Sequence, residues 1–267
     1  MEGPLVSVVI DNYNYALFLR ESIESVLHQS YPHVELVIVD DGSGDSSPQI
    51  IEQYRHHSQV KIILKQNGGQ ASSFNSGVLQ CEGDIICFLD SDDYFMPNKI
   101  ERVVELFSKY PQAGWLSHPL EQVFIDGTRT SNFKTDLPVK LIDFRRSFRF
   151  GSIKGNFSAT SALCFRKELI NKIFPIPEEL RITADNYIKY AGAGLSPMIL
   201  VGECLAVQRI HGLNAYTLNA AKTSREIEIH LTIAEALFHR ISHSGLLSFR
   251  IAGRYLGIAL QNWGWKK

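Results

Sequence analysis

Four short apolar runs in the first 90 residues constrain this fold most. They cover residues 6–10, 34–39, 60–64 and 85–89. A continuous apolar run of this length is typical of a strand that is buried on both faces of a sheet. Helix-like segments separate the runs, so we predict an α/β fold with a doubly wound, mostly parallel sheet that is flanked by helices.

The segments between the apolar runs carry helix signals. Predicted helices cover residues 17–28, 72–79 and 99–109. Ser47 is the expected N-cap of a further helix over residues 49–54, because Pro48 fits the first helical position. Strands and helices therefore alternate in the order that a parallel sheet requires.

The pattern changes after residue 110. Residues 113–125 are predicted as a strand region that ends at the turn of Asp126 and Gly127, and residues 129–150 as loops or short helices. Apolar runs at residues 161–165 and 198–201 follow. From residue 223 we predict helix, because two sets of apolar residues have helical spacing. The sets are Ile227, Leu231, Ala234 and Leu237, and Ile251, Tyr255 and Ala259.

Charge and composition disfavour some classes of protein. The 27 basic and 28 acidic residues give a formal net charge of −1, so no global positive field attracts nucleic acid. Cys87 and Cys164 lie inside apolar runs, which favours core thiols and a reducing compartment. We recognise neither a signal peptide nor a membrane span. We expect a cytoplasmic protein, with peripheral contact at the inner membrane face as an alternative.

Polar clusters follow three of the predicted strands. They are Asp11 with Asn12, Asp40 with Asp41, and the stretch from Asp90 to Asp93. Because the carboxyl ends of parallel strands share one edge of the sheet, we expect the clusters to converge on one ligand site. Asp90 and Asp92 offer hard oxygen ligands that suit Mn²⁺ or Mg²⁺ shared with a diphosphate. The alternative for this stretch alone is an acidic turn that caps the next helix.

A glycine-rich loop adds to the predicted site. Asn67, Gly68 and Gly69 precede the third predicted helix. Glycine lets a backbone approach a ligand closely. The loop has neither the G-x-G-x-x-G pattern nor the Walker lysine, so the residues exclude a dinucleotide fingerprint and a P-loop.

Together these motifs resemble the family 2 glycosyltransferases of GT-A fold. The resemblance is carried by VSVVIDNYNY at 6–15, SVLHQSYP at 25–32, VDDGS at 39–43, NGGQASSFNSG at 67–77 and the stretch 83–97. It implies a Rossmann-like GT-A domain over residues 1–221, with a nucleotide-binding half at 1–110 and an acceptor half at 111–221. A helical C-terminal extension would cover residues 222–267.

The resemblance implies roles for individual residues. Asp41 would hydrogen-bond the nucleotide base, with Asp40 beside it, and Asp11 would line the base and ribose pocket. Asp90 would face the ribose or the metal ion, and Asp92 would bind the metal ion that bridges the diphosphate. The predicted nucleotide-binding set is completed by Asn12, Tyr13, Asn67, Gly69 and Ser91. Asp11 departs from the family pattern, in which this position is often Thr or Pro.

Two residues of the second half also match family positions. Asp185 lies where members place an acidic residue ahead of a helix, which implies a base that deprotonates the acceptor hydroxyl. A helix N-cap is the alternative for this residue. His211, within RIHGLN at 209–214, would approach the diphosphate or the metal ion, and a purely structural role is its alternative.

The last stretch of the chain interleaves basic and aromatic residues. They are Phe249, Arg250, Arg254, Tyr255, Trp263, Trp265, Lys266 and Lys267. A helix of this composition packs on the catalytic domain or on a second subunit, or it lies on a membrane surface.

These expectations combine into one function. We predict an inverting glycosyltransferase that depends on Mn²⁺ or Mg²⁺ and acts in glycan or polysaccharide biosynthesis. It would move a sugar from a nucleotide-sugar donor, expected to be a UDP-sugar, to a hydroxyl of a glycan, a lipid-linked or a small-molecule acceptor. The alternatives are an inactive sugar-nucleotide-binding protein and a sugar nucleotidyltransferase on a similar fold.

Overall fold

The computed structural model describes residues 3–131, 137–149, 157–212, 214 and 223–240. The strands are β1 (Val6–Asn12), β2 (Val34–Asp40), β3 (Val60–Leu64), β4 (Ile85–Asp90), β5 (Tyr94–Phe95), β6 (Trp115–Ser117), β7 (Leu120–Phe124), β8 (Arg129–Ser131), β9 (Lys140–Ile142), β10 (Leu163–Arg166), β11 (Met198–Leu200) and β12 (Ala206–Ile210). The helices are α1 (Ala16–Leu27), α2 (Ser47–Glu52), α3 (Gln70–Leu79), α4 (Lys99–Lys109), α5 (Arg145–Arg149), α6 (Lys167–Ile173), α7 (Ala184–Leu195) and α8 (Thr223–Arg240), with a 3-10 turn at Thr160–Ala162.

The larger sheet has the strand order β3-β2-β1-β4-β10-β6-β11-β9. β1 lies between β2 and β4 and is parallel to both, and β2 is parallel to β3. β10 runs antiparallel to β4 and β6, and β9 runs antiparallel to β11. The predicted mostly parallel sheet with flanking helices is confirmed.

Apolar side chains fill both faces of this sheet. In β1, Val9 contributes to one core cluster, whereas Val8 and Ile10 contribute to the other. Phe88 and Leu89 of β4 divide in the same way. A strand that packs on both faces has no position for a charged side chain until it ends. In β1 and β4 the carboxylates therefore begin only where the apolar run stops, whereas β2 carries one buried carboxylate near its start, Glu35, which accepts a hydrogen bond from Ser7 Oγ.

The strand register brings those carboxylates to one edge of the sheet. Asp11 of β1 lies opposite Asp90 of β4, and Asn12 lies opposite Asp40 of β2. The polar clusters after three different strands therefore converge, as the sequence predicts.

A smaller sheet, with the order β5-β12-β7-β8, ties the acidic stretch to the second half of the chain. β5 begins directly after Asp93 and pairs antiparallel with β12. β12 ends at Ile210, so the next residue, His211, is delivered to the acidic stretch.

Two predicted elements differ in the structure. Ser46, and not Ser47, is the N-cap residue of α2, whose start is supported by a 2.9 Å hydrogen bond from Ser47 N to Asp45 Oδ1. The strand region predicted over 113–125 is divided at Pro119, so that β6 joins the larger sheet and β7 the smaller one. Proline has no N–H to donate to a ladder, which favours a break at this point.

Residues 129–149, predicted as loops or short helices, contain two short strands as well as one short helix. β8 forms an edge of the smaller sheet and β9 an edge of the larger one, while α5 is the short helix. Three-residue strands at sheet edges leave almost no periodic signal in a sequence.

The predicted C-terminal helix is present as α8. Ile233 and Leu237 are fully buried in the core and Ala234 is 4 % exposed, whereas Leu231 is only partly buried. The buried face is therefore rotated relative to the predicted stripe. The Ile227 side chain, the second stripe and the basic aromatic tail lie outside the described residues. Among the described helices, none combines the length and the apolar character needed to span a membrane.

Candidate active site

A cleft of about 650 Å³ opens at the carboxyl edge of the parallel strands, a volume typical of small-molecule sites. Most of the predicted site residues line it, namely Asp11, Asn12, Tyr13, Asp41, Asn67, Gly69, Asp90, Ser91, Asp92 and Asp185. Asp40 and His211 do not. The fold thus brings the strand-end clusters, the glycine-rich loop and Asp185 into a single cavity.

The turn after β4 holds three carboxylates together. Oxygen atoms of Asp90, Asp92 and Asp93 lie within 4.8 Å of one another. Asp93 accepts hydrogen bonds from Ser161 Oγ at 2.5 Å and from Arg209 N at 3.1 Å, and it is 1 % exposed. Asp93 therefore anchors the turn, and Asp90 and Asp92 remain as the pair that can meet a ligand.

Negative charge accumulates at this edge. Burial raises the pKa of Asp90 well above its usual value, and repulsion from Asp11 and Asp93 raises it further. Burial, followed by repulsion from Asp92, raises the pKa of Asp11 to about 7. Asp11 Oδ1 and Ser91 Oγ are buried without a hydrogen-bond partner among the described residues. Because buried polar atoms normally have partners, this edge is built to receive positive charge and hydrogen-bond donors from a ligand.

Asp41 holds the glycine-rich loop in place. Its carboxylate accepts hydrogen bonds from Lys65 Nζ at 2.6 Å, Gly68 N at 2.8 Å and Gly69 N at 2.7 Å. Gly69 has a φ of +86°, and a Cβ at this position would lie 2.6 Å from the Cα atom of Arg181. The loop therefore needs glycine both for its left-handed backbone and for its close packing.

Asp40 lies behind the cleft surface. Its Oδ2 accepts a hydrogen bond from Asn12 Nδ2 at 2.7 Å and its Oδ1 accepts one from Ser43 N at 2.9 Å. The side chain is 2 % exposed. Asp40 thus orients Asn12, which lines the cleft and whose own Oδ1 has no partner among the described residues.

His211 packs against the acidic turn from the second half of the chain. Its Nε2 lies 3.1 Å from Asp92 Oδ2, and its ring stacks on Phe18 with 4.5 Å between the centroids. Asn214 Nδ2 donates to the same Asp92 oxygen at 3.1 Å. Arg209 supports the turn from outside the cleft, because its guanidinium donates to the carbonyl oxygen of Asp92 at 2.6 Å.

Asp185 is the second residue of α7, and the N-cap residue is Thr183. The N-cap alternative for Asp185 is therefore wrong. Its Oδ2 accepts a hydrogen bond from Lys189 Nζ at 2.7 Å, one helical turn later. A carboxylate in the first turn also interacts favourably with the helix dipole. Lys189 is not among the residues predicted from the sequence, although it lies four residues after Asp185, a spacing that brings two side chains together on a helix.

Gln70 joins the two sides of the cleft and is a second residue that the sequence analysis does not single out. Its Oε1 accepts a hydrogen bond from Ala184 N at 2.9 Å, at the start of α7. Its Nε2 donates to Asp90 Oδ1 at 3.4 Å, and its backbone N donates to Arg181 O at 2.9 Å. Its place within the NGGQ segment is the signal that could identify it.

The residues at the strand ends fit a divalent cation. Asp90 and Asp92 present hard oxygen atoms, and burial, followed by repulsion from neighbouring carboxylates, raises the pKa of Asp90, so a cation would relieve both effects. On the α7 side, Asp185 offers a carboxylate that can accept a proton. The cleft can therefore bind an anionic ligand together with a cation, beside a group suited to acid–base chemistry.

The sequence is similar to those of known glycosyltransferases. Residues 7–174 match the model of the family described as glycosyl transferase family 2. An uncharacterized glycosyltransferase of Nostoc sp. is 39 % identical over 228 residues, which cover 83 % of this chain and 69 % of that protein. An uncharacterized glycosyltransferase of Rickettsia prowazekii is 31 % identical over 235 residues, covering 84 % and 69 %.

Solved structures share the fold at low sequence identity. Staphylococcus aureus TarS 1–349 in complex with UDP has a TM-score of 0.70 at 19 % identity, covering 96 % of this chain and 72 % of that one. The mannosyltransferase PcManGT from Pyrobaculum calidifontis, in complex with GDP-Man and Mn²⁺, has a TM-score of 0.61 at 16 % identity, covering 98 % and 76 %. Both are GT-A glycosyltransferases, so the predicted GT-A fold is confirmed.

Proposed function

This chain belongs to glycosyl transferase family 2, and from that premise we propose that it moves a sugar from a nucleoside-diphosphate sugar to a hydroxyl group with inversion at the anomeric carbon. The observation that carries the proposal is the presence of two carboxylate sites in one cleft, Asp90 with Asp92 at the strand ends and Asp185 on α7. A single in-line displacement needs a site for the leaving diphosphate and a base for the attacking hydroxyl.

The proposed donor is a UDP-sugar. TarS structures in complex with UDP and with UDP-GlcNAc share the fold of this chain, and a neighbour in complex with GDP-Man marks guanosine as the competing base. Asp41 would meet the base and Asp11 the ribose, with Asn12, Tyr13, Asn67, Gly69 and Ser91 completing the nucleotide site. Asp40 would act through Asn12, because Asp40 does not line the cleft and its Oδ2 accepts the hydrogen bond from Asn12 Nδ2.

Asp90 and Asp92 would hold Mn²⁺ or Mg²⁺, and His211 would complete the set through the nitrogen that contacts Asp92. When bound, such a cation neutralises the charge that develops on the diphosphate as the glycosidic bond breaks. A bound cation would also favour donor binding, because the described residues that line the cleft include six aspartates and one arginine, Arg181. Lys65 and Lys189 pair with two of these aspartates, Asp41 and Asp185, so a cation would offset the remaining four when an anionic donor binds.

Asp185 would remove the proton of the acceptor hydroxyl. The residue lines the cleft, and its Oδ1 has no hydrogen-bond partner among the described residues, so one oxygen is available to the hydroxyl. By this proposal residues 1–110 bind the donor, residues 111–221 form the acceptor side, and residues 222–267 form a helical extension. The proposed acceptor is a hydroxyl of a glycan, lipid-linked or small molecule in polysaccharide biosynthesis.

The test is the release of nucleoside diphosphate from a panel of UDP-, GDP- and dTDP-sugars with Mn²⁺ or Mg²⁺. We expect turnover of one UDP-sugar, loss of turnover with a chelator, and a decrease of about 10²–10⁴-fold in Asp185→Asn. A protein that binds UDP and Mn²⁺ but turns over no donor on the panel is an inactive binding protein. Formation of a nucleotide sugar from a nucleoside triphosphate and a sugar phosphate instead identifies a nucleotidyltransferase.

A further inference from the structure

We propose that Lys189 is a positioning residue that fixes the orientation of the Asp185 carboxylate and aims one of its oxygens at the acceptor hydroxyl. This inference rests on the proposed role of Asp185 as the base. Lys189 itself does not line the cleft, whereas Asp185 does. The lysine therefore acts on the acceptor only through the carboxylate.

The geometry divides the two oxygen atoms of Asp185 between two tasks. Lys189 Nζ lies 2.7 Å from Oδ2, and it lies 3.4 Å from the carbonyl oxygen of Ser158. Two anchors on different segments fix the ammonium group, and the ammonium group in turn fixes the rotation of the carboxylate. Oδ1 remains as the oxygen without a partner among the described residues and can face the hydroxyl.

Burial distinguishes this pair from an ordinary surface pair at positions i and i+4. Asp185 and Lys189 are 9 % and 8 % exposed. A buried ion pair is costly to desolvate, and replacing such pairs by apolar side chains is often neutral or stabilising. The charge of Lys189 is therefore not explained by stability, whereas a carboxylate that must hold one orientation beside the acceptor needs an anchored cation to bond to.

Other charged groups near Asp185 do not supply that cation. Asp90 repels it, because Asp185 is among the charges that raise the pKa of Asp90. Arg181, on the segment before α7, donates to Asn67 Oδ1 at 2.5 Å. The helices α5, α6 and α8 pack on α7. On α5, Arg145 pairs with Asp143, and on α6, Lys167 donates to the carbonyl oxygen of Cys81. On α8, His230 is buried. Within the described part of the chain, Lys189 is the cation in the ion pair with Asp185.

The pair fits the balance of the proposed reaction. The acceptor oxygen forms a bond to the anomeric carbon while the bond from that carbon to the diphosphate oxygen breaks, and the nucleoside diphosphate leaves with the electron pair. The hydroxyl proton passes to Asp185 Oδ1. Because Oδ2 stays bonded to Lys189 Nζ, Oδ1 is the oxygen that takes the proton.

The experiment compares Lys189→Met, Lys189→Arg and Asp185→Asn, with Lys172→Met of the exposed α6 surface as the matched control. The first readout is kcat for the UDP-sugar that the donor panel identifies. In Lys189→Met, kcat should fall about tenfold or more, because Asp185 loses the hydrogen bond that orients it, whereas Lys189→Arg keeps a donor and should recover most of the rate. Lys172→Met should match wild type, and a wild-type kcat in Lys189→Met overturns the inference.

The second readout is the melting temperature together with the Kd for UDP with Mn²⁺. In Lys189→Met the Kd should change less than threefold and the melting temperature should stay close to that of wild type, because the pair does not contact the nucleotide in this proposal. A loss of rate that comes with a lower Tm and an equal loss of UDP affinity indicates a structural role and overturns the inference. If Asp185→Asn is fully active, the proposed base is wrong instead, which separates the two failures.

Discussion

Asp11 shows how a single residue at a strand end responds to its surroundings. It lies opposite Asp90 across β1 and β4, and its Oδ1 is buried without a partner among the described residues. Its pKa is raised to about 7, first by burial and then by Asp92. The protonated carboxyl group of Asp11 is stable at this position, whereas its ionised form requires a bound cation nearby.

The raised pKa of Asp11 predicts a pH dependence of stability in metal-free protein. The unfolded chain loses this proton near the usual pKa of 3.8 and the folded protein near 7, so the free energy of unfolding falls as pH rises through that interval. The full difference is worth at most about 4 kcal/mol, because neighbouring carboxyl groups titrate together with it. Below pH 4 the contribution is fully present.

Denaturant unfolding at several pH values in a chelator checks this. Asp11→Asn should flatten the decline between pH 4 and 7, and Asp84→Asn, at an exposed position before β4, should leave it as in wild type. Added Mn²⁺ should restore stability at pH 7.5. An identical decline in Asp11→Asn and wild type would remove Asp11 as its source.

At the scale of elements, the cleft depends on how the loop before α3 meets the start of α7. Gln70 makes this joint through its hydrogen bonds to Ala184 N, Asp90 and Arg181 O. Asn75 strengthens it from α3 by exchanging two 2.8 Å hydrogen bonds with the backbone of Ile176. The distance between the donor side and Asp185 is therefore set by side-chain bonds between elements.

Gln70→Ala should reduce transfer more than it reduces stability or donor binding. Loss of one hydrogen bond costs about 0.5–1.5 kcal/mol, whereas a displacement of α7 by an ångström can cost about 10²-fold in rate. Gln70→Glu is the matched variant, since it keeps an acceptor for Ala184 N and loses the donor to Asp90. The measurements are kcat and the Kd for UDP with Mn²⁺. Equal losses in kcat and in UDP affinity would argue against a joint between the two sides.

α8 is an element whose packing can be tested alone. Leu237 is fully buried in the core cluster beneath α7, and the neighbouring Phe238 is 59 % exposed. Leu237→Ala should lower the free energy of unfolding by about 2–5 kcal/mol. Phe238→Ala should change it by less than about 0.5 kcal/mol, as surface substitutions usually do. Similar values for both variants in urea titrations would show that α8 does not complete this core.

At the scale of the whole molecule, the cleft is an acidic cavity in a nearly neutral protein. Among the described residues that line the cleft, six are aspartates and one is an arginine, whereas the chain as a whole has a formal net charge of −1. Charge is therefore concentrated by the fold and not by composition. A cavity with this field concentrates cations and repels free anions.

Metal and nucleotide should therefore bind cooperatively. Asp90 and Asp92 alone supply too few ligands for an octahedral shell, and UDP can supply diphosphate oxygens. In calorimetry, UDP should tighten Mn²⁺ binding by at least tenfold, and a chelator should weaken UDP binding by the same factor, since coupling is reciprocal. Asp92→Asn should abolish the coupling. Equal Mn²⁺ affinity with and without UDP would contradict the site.

The first four strands and the polar clusters at their ends could be predicted from the sequence, because their signals are local. A strand buried on both faces reads as a continuous apolar run, so β1, β2, β3 and β4 could be located, and the polar clusters at their ends could be assigned to one edge. The predicted bounds of α1 and α4 agree with the structure within one residue at each end. These signals depend on residues that are close together in the sequence, so they can be recognised without knowledge of the tertiary contacts.

The tertiary structure alone decided which distant residues share the cleft. It divided residues 113–125 between two sheets, rotated the buried face of α8, placed Asp40 behind Asn12, and linked Gln70 to α7 and Asp185 to Lys189. Short edge strands and single hydrogen bonds have no period of their own, and their partners lie up to 122 residues away. The sequence determined the sheet and the chemistry at its edge. The packing of the second half against that sheet determined where each charged group lies. The reason is that the energy of a buried charge depends on the groups around it and not on its neighbours in the chain.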